Sequence, residues 1–361
     1  MNNKVQSNKK DFKGQNIFVG IDVHLKQWTV TVLTESGYKK KFSQPSCPKS
    51  LFDHLSKNYP GGIYKAVYES GFSGYSSCYE LRKYGIDCQI VHAADVPTSQ
   101  KEKVTKSDVV DSEKLARSLR NGELDEYFIY IPSSDSLDDR SLLRVRKIIQ
   151  KESGRYRSQI KHLLYCNGIS YPDRFQNQRT HWSRKFVEWL RNDVRLLSPT
   201  RTSLDWLLDE YLHLRQSLLA INRKLRELSQ TARYKKRYEC LISIPGIGCI
   251  TAMTLLVEII DIKRFSSQKK FRAYLGLVPV MQKSDETVIV GEKTFRGNKH
   301  LGPQVIEASW IAIRHDAELA AAYTRHCHRG LKAQEAIIRI AADLAARIYA
   351  VLKQEKKYEC R

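Results

Sequence analysis

Four acidic residues stand where an ionised carboxylate needs a reason. Asp22 interrupts the apolar run from Ile17 to Val23, and Glu69 closes the run Ala66-Val67-Tyr68, with Gly71 behind it to permit a turn. A carboxylate within a buried strand is costly unless it is paired or binds a cation. Asp108 and Asp111 are three residues apart, so they share one face of the first turn of a helix expected to begin at Ser107. Oxygen ligands in this number suit magnesium, which retains waters and leaves positions open for a phosphate. The four groups are therefore expected to converge on two magnesium ions and to support chemistry at a phosphate ester. Each residue also has an ordinary reading. Ser107 or Asp108 serves as a helix cap, Asp111 complements the helix dipole, and Glu69 pairs with a lysine. The set outweighs its members because order, spacing and strand context agree.

The surrounding pattern supplies elements able to position these groups. I-F-V-G-I-D-V-H and W-T-V-T-V-L read as two strands, closed by Glu35-Ser36-Gly37, with a third short strand near Lys40 to Phe42. A helix from Pro48 to Asn58, a strand from Tyr64 to Tyr68, a helix from Tyr75 to Tyr84 and a strand from Cys88 to Val91 follow. The helix from Ser107 carries Val110, Leu115 and Leu119 among charges. Three early antiparallel strands followed by alternating helices and strands is, by analogy, the order of a ribonuclease H-like domain.

Beyond it the pattern becomes helical, giving an α/β plus α chain. Leu204, Leu207, Tyr211, Leu214, Leu218, Ile221, Leu225 and Leu228 recur in steps of three and four, a heptad seam. A basic helix from Ser136 to Cys166 has a looser stripe through Leu142, Val145, Ile149, Tyr156, Ile160 and Leu163. The two helices suit an antiparallel hairpin or pairing between subunits. Ile169 to Thr202 between them, rich in Arg, Trp and Pro, reads as an irregular connection. From Tyr238, the run C-L-I-S-I-P-G-I-G resembles a helix-hairpin-helix turn. Its Gly246 and Gly248 allow positive φ and present backbone N–H groups to a phosphate, with Thr251 assisting; a packed helical corner is the alternative. Arg264, Lys269, Lys270 and Arg272 follow as candidate nucleic-acid contacts, and a helix from Lys332 to Leu352 closes the last core. The expected domains are a disordered basic lead (1–15), the metal-dependent domain (16–133), a helical coiled-coil region (134–235) and a mostly helical C-terminal domain (236–355).

Composition narrows the partners. Among 361 residues, 61 Lys and Arg face 39 Asp and Glu, a net charge of +22 that favours a polyanion through counterion release. The Lys-rich start has no apolar stretch behind it and is no secretory signal. Cys240 to Val257 approaches spanning length but contains Pro245-Gly246-Ile247-Gly248 and is followed by Glu258, so a soluble turn is expected and no membrane partner. Eight cysteines without a C-x-x-C pair, and an isolated His326-Cys327-His328, argue against zinc and for free thiols in the cytoplasm.

G-I-D-V-H at 20–24, Y-E-S-G at 68–71 and K-S-D-V-V-D-S-E-K-L-A at 106–116 resemble the DEDD transposases of the insertion-sequence-110 family. So do L-I-S-I-P-G-I-G at 241–248, F-R-A-Y-L-G-L-V-P at 271–279, Q-K-S at 282–284 and G-N-K-H-L at 297–301. The resemblance runs from about Ile17 to Leu352. It implies a RuvC-like domain with metal ligands at Asp22, Glu69, Asp108 and Asp111, joined through a coiled coil to a domain whose nucleophile is Ser284. It further implies donor and target DNA, a structured guide RNA from the element itself (a bridge RNA), a dimer or tetramer, and action beside the nucleoid of a prokaryote. Two positions depart from the family pattern: Asp285 follows the serine where a small residue is usual, and Gly302-Pro303 replaces the usual Leu-Arg neighbourhood. A hydrolytic junction nuclease of RuvC type, or a nucleic-acid-binding protein without catalysis, are the competing expectations.

Overall fold

Strand periodicity organises the first part of the chain. The computed structural model describes residues 11–98, 108–284, 287–293 and 297–359, and the chain divides into two compact units, Met1–Ile131 and Pro132–Arg361. In the first unit β1 (Asn16–Val23), β2 (Gln27–Thr34), β3 (Lys39–Pro45), β4 (Ile63–Glu69) and β5 (Asp87–Val91) form one sheet of order β3-β2-β1-β4-β5. β1 runs antiparallel to β2, and β2 to β3, whereas β1, β4 and β5 are parallel.

Successive side chains of a strand face opposite sides of the sheet. Ile17, Val19 and Ile21 of β1 therefore pack with Leu51 and Leu55 of α1 (Pro48–Asn58) and Leu81 of α2 (Ser76–Lys83). Phe18 turns the other way, joining Leu115, Ala116 and Leu119 of α3 (Asp108–Arg120). With both faces covered, β1 reads as a nearly continuous apolar run. Gly20 lies on the α3 face, and a Cβ there would stand 2.0 Å from the Ser112 carbonyl oxygen and 2.5 Å from the Ala116 nitrogen. The helix thus rests on bare strand backbone. Beside it, the buried Thr31 and Ser112 hydroxyls satisfy each other at 2.8 Å. The edge strand β3 carries Lys39 and Lys41, which both grip Glu113 of α3.

The expected first-unit elements occur within a residue or two, and β3 extends further in both directions than Lys40 to Phe42. The expected helix start at Ser107 lies outside the described residues. The disordered lead needs correction at Asp11 to Gln15: Phe12 donates its N–H to the Pro60 carbonyl at 3.1 Å and lies against the Tyr59 ring at 5.1 Å. Residues 1–10 of that expectation are outside the described residues.

Among the described residues the second unit is helical apart from one hairpin. Its long helices α4 (Ser134–Cys166) and α6 (Ser198–Ser229) pack antiparallel, with Leu143 and Leu225 in one core and Ile160, Leu164, Leu204, Leu208 and Tyr211 in another. Between these cores Arg146 Nε donates to Asn222 Oδ1 at 2.7 Å. Ile169 to Thr202 is not the irregular connection expected. It contains α5 (Arg184–Asn192) and two 3₁₀ turns, because Phe175, Phe186, Trp189 and Leu190 form an aromatic core against the α4–α6 pair. Ring contacts, which no local pattern announces, order this segment.

The remaining elements are α7 (Lys235–Ile242), α8 (Cys249–Ile259), α9 (Gln268–Tyr274), the hairpin β6 (Pro279–Ser284) and β7 (Thr287–Lys293), α10 (Leu301–Ala312), α11 (Ala317–His328) and α12 (Ala333–Gln354). α8 is buried from Ala252 to Ile259 at the centre of this core. Among the described residues no helix is long and apolar enough to cross a membrane.

The closeness of α3 to β1 makes residue 20 the most demanding position of the first unit. Gly20→Ala is expected to destabilise that unit by about 3 kcal/mol, the upper range for overpacking, since backbone rather than a flexible side chain must yield. Denaturant-dependent hydrogen exchange of the β1 amides reads this within the first unit, and unchanged stability would show that α3 can retreat freely.

Candidate metal centre

The α3 face of the sheet also gathers the acidic residues. Asp22 is two residues beyond Gly20 on β1, and Glu69 two beyond Val67 on β4, so both carry the parity that faces α3. Asp108 and Asp111 occupy the first turn of α3, where negative charge is favoured by the helix dipole. Two strand ends and one helix start thereby meet.

Two nitrogen-bearing side chains, His24 and Lys114, stand among the carboxylates. His24 Nε2 lies 3.1 Å from Asp22 Oδ2 and 3.3 Å from Asp108 Oδ2. One ligand atom from each of Asp22, His24 and Asp108 falls within 4.8 Å of the others, close enough to hold one ion. Lys114 is almost wholly buried, and its Nζ lies 3.5 Å from Glu69 Oε1 and 3.4 Å from Asp111 Oδ1. Burial pushes the Asp22 carboxyl above its ordinary value. The nearby His24 opposes this, while Asp108 and Asp111 add to it. A partly desolvated carboxylate surrounded by others of its sign holds its charge reluctantly, and a divalent cation relieves that cost. The donor set, rich in oxygen with one imidazole, fits a hard divalent ion such as magnesium or manganese.

His24 and Lys114 were not among the residues expected to form the site. Both had a signal: His24 follows Asp22 at the two-residue strand spacing, and Lys114 follows Asp111 at the three-residue helical spacing.

The remaining candidates lie in the second unit. Ser284 ends β6, opposite Thr287 of β7; Asp285 is outside the described residues. Gly246 adopts φ +87° and abuts α10, where a Cβ would lie 2.3 Å from the Ala308 carbonyl oxygen. That residue makes a packed helical corner. Gly248, by contrast, is exposed with open space around it and precedes α8, and Thr251 in the first turn is half-buried. Arg264 is stacked over the Phe265 and Tyr274 rings at 4.6 and 4.7 Å, and Arg272 reaches Asp343 at 3.6 Å, so both are engaged within the fold. Lys269 and Lys270 face solvent.

Several known proteins similar to this chain are transposases. A putative transposase of Sinorhizobium fredii is 23% identical over 94% of this chain and 89% of its own length. The transposase for insertion sequence element IS1533 of Leptospira borgpetersenii is 24% identical over 69% of this chain and 71% of its own length. That for element IS1111A of Coxiella burnetii is 22% identical over 76% and 74%. Residues 238–324, all in the second unit, match the family described as Transposase IS116/IS110/IS902 family. Over those residues the chain is similar to the IS116/IS110/IS902 transposases.

Two outcomes follow from the electrostatics. Lys114→Met leaves Glu69 and Asp111 without their shared ammonium. It is expected to cost about 2 kcal/mol in EDTA, less than for a fully buried pair because both carboxylates keep some solvent access. Millimolar manganese should then raise the Tm of the variant more than that of wild type; equal shifts would mean that Lys114 is not neutralising the site. The raised pKa of Asp22 makes its charged form a folding penalty at neutral pH, relieved as pH falls through the raised folded value. Asp22→Asn should therefore be more stable than wild type in EDTA at pH 7, with the gap closing on acidification, as followed by thermal denaturation across pH.

Proposed function

We propose that the chain is an insertion-sequence transposase that cuts and rejoins DNA through a covalent phosphoserine, with a ribonuclease H-like, RuvC-like first unit as its metal-dependent catalytic domain. The observation that carries this reading is the convergence of Asp22, Glu69, Asp108 and Asp111 on one face of the sheet, around His24 and Lys114. The strand order β3-β2-β1-β4-β5, with three antiparallel strands followed by parallel ones, supports the fold assignment. Similarity to transposases supports the class of substrate.

Asp22, His24 and Asp108 would hold one divalent ion, and Glu69 and Asp111 would take part in a second position beside Lys114. When bound, such ions supply positive charge to a phosphoryl group whose transition state accumulates negative charge. The protein's own part is to hold the carboxylates ionised and fixed. Ser284 is the proposed nucleophile. A bond forms between its Oγ and phosphorus as the bond from phosphorus to a deoxyribose oxygen breaks; the serine proton passes to a base or water, and the departing oxygen gains one to become a free hydroxyl. Attack by another strand's hydroxyl reverses the step, so joining needs no external energy source. The net charge of +22 suits both DNA and a structured guide RNA. Delegating sequence choice to base pairing would leave the protein reading backbone and shape.

The test is a cleavage assay with purified protein, magnesium, the RNA transcribed beside the coding region and DNA spanning an insertion junction. Wild type is expected to give a DNA adduct that survives denaturing electrophoresis. Ser284→Ala should give none, and Asp22→Ala should lose cleavage by at least about a hundredfold. Strand cleavage at a normal rate by Ser284→Ala would favour the hydrolytic RuvC-type reading and remove the serine mechanism.

A further inference from the structure

β6 and β7 form a two-stranded sheet of their own. Such a hairpin is marginal in water and has little means of fixing its own direction. Whatever aims residue 284 must act where the hairpin joins the core.

That junction is built tightly. The chain enters the hairpin through Tyr274 and Gly276 and leaves it through Gly297 and Asn298. Gly276 and Gly297 touch backbone to backbone, since a Cβ on Gly297 would stand 2.4 Å from the Gly276 Cα. Asn298 N–H donates to the Tyr274 carbonyl at 2.7 Å. The Asn298 side chain uses all its capacity: Nδ2 donates to the Tyr274 hydroxyl at 2.9 Å and to Glu258 Oε2 at 3.2 Å, while Oδ1 accepts from the N–H groups of His300 and Leu301 at 2.8 and 3.1 Å. The Tyr274 hydroxyl in turn donates to the Glu258 carbonyl at 3.1 Å.

Glu258 is the deep end of this bracket. It is 2% exposed at the end of α8, amid an apolar core. Arg140 and Arg144, on the first long helix of the unit, face its two oxygens, Nε to Oε2 at 3.6 Å and Nε to Oε1 at 3.3 Å. A buried carboxylate with two guanidiniums and an amide is expensive to assemble and rigid once satisfied. An apolar residue would fill the same space at lower cost, so stability alone gives no reason for the charge.

We infer that Glu258, Asn298 and Tyr274 are positioning residues for the serine-bearing hairpin: the buried carboxylate grips Asn298, and Asn298 clamps the two stems and caps α10 together. The inference rests on the reading of Ser284 as nucleophile. It assigns to G-N at 297–298 a mechanical role, with glycine required by the stem contact and asparagine by its four-way hydrogen bonding.

The experiment uses the full chain with Tyr274→Phe and Asn298→Ala, and Asp316→Asn as a control. Asp316 is likewise buried and paired with an arginine, Arg347, but caps α11 instead. Hydrogen exchange of the amides from Met281 to Val290 is measured without DNA, alongside DNA affinity and the adduct assay. The expected result is exchange accelerated about tenfold or more in both hairpin variants, with adduct formation falling at least as far and DNA affinity within about twofold of wild type. The control should lower Tm yet leave hairpin exchange and adduct formation at wild-type values. Unchanged exchange in both variants overturns the proposal, as does faster exchange with undiminished adduct formation. Loss of hairpin protection in the control as well would reduce the bracket to general stability and overturn it too. Normal cleavage by Ser284→Ala overturns the underlying reading instead, and is told apart because it leaves the exchange of these amides in DNA-free protein unaffected.

Discussion

The contact between α3 and β1 is the constraint on which the candidate site depends. Asp108 and Asp111 reach Asp22 because α3 lies on the sheet without a side chain between them at residue 20. Lifting the helix by the width of one methyl group would part carboxylates that come from separate elements. The Thr31–Ser112 hydroxyl pair and the Lys39 and Lys41 grip on Glu113 act on the same helix, so its seat is set by sterics, by a buried hydrogen bond and by charge together.

Much of the first unit was legible because strand alternation and turn residues are local. The parity that directs Asp22 and Glu69 to one face follows from a two-residue period, and the three-residue spacing of Asp108 and Asp111 from a helical one. His24 was harder to read, since a histidine at the end of a strand is ordinarily a surface residue, and Lys114 harder still, since lysine is rarely buried. Gly20 gives no pattern at all: what it permits is visible only when another element arrives against it.

The second unit was less legible for a related reason. The heptad seam from Leu204 to Leu228 announced a long helix and a partner, and α4 is that partner within the chain. The α5 segment depends on the rings of Phe175, Phe186 and Trp189 meeting, information that is not periodic. The Pro-Gly-Ile-Gly turn was recognisable, yet its two glycines differ in use: Gly246 requires positive φ and abuts a helix, whereas Gly248 has φ −89° and faces open space. Glu258 in sequence only closes an apolar helix, and its significance comes from Arg140 and Asn298, each about 40 residues or more away along the chain.

Lys114 also bears on the order of events in the life of the protein. A cluster of four carboxylates with no cation of its own would couple folding to metal, as in domains that collapse only when an ion arrives. With the Lys114 ammonium built into α3 between Glu69 and Asp111, the first unit carries a counter-charge of its own. In the proposed metal-bound form, ions would therefore load onto a cluster whose charge is already partly offset by the chain itself.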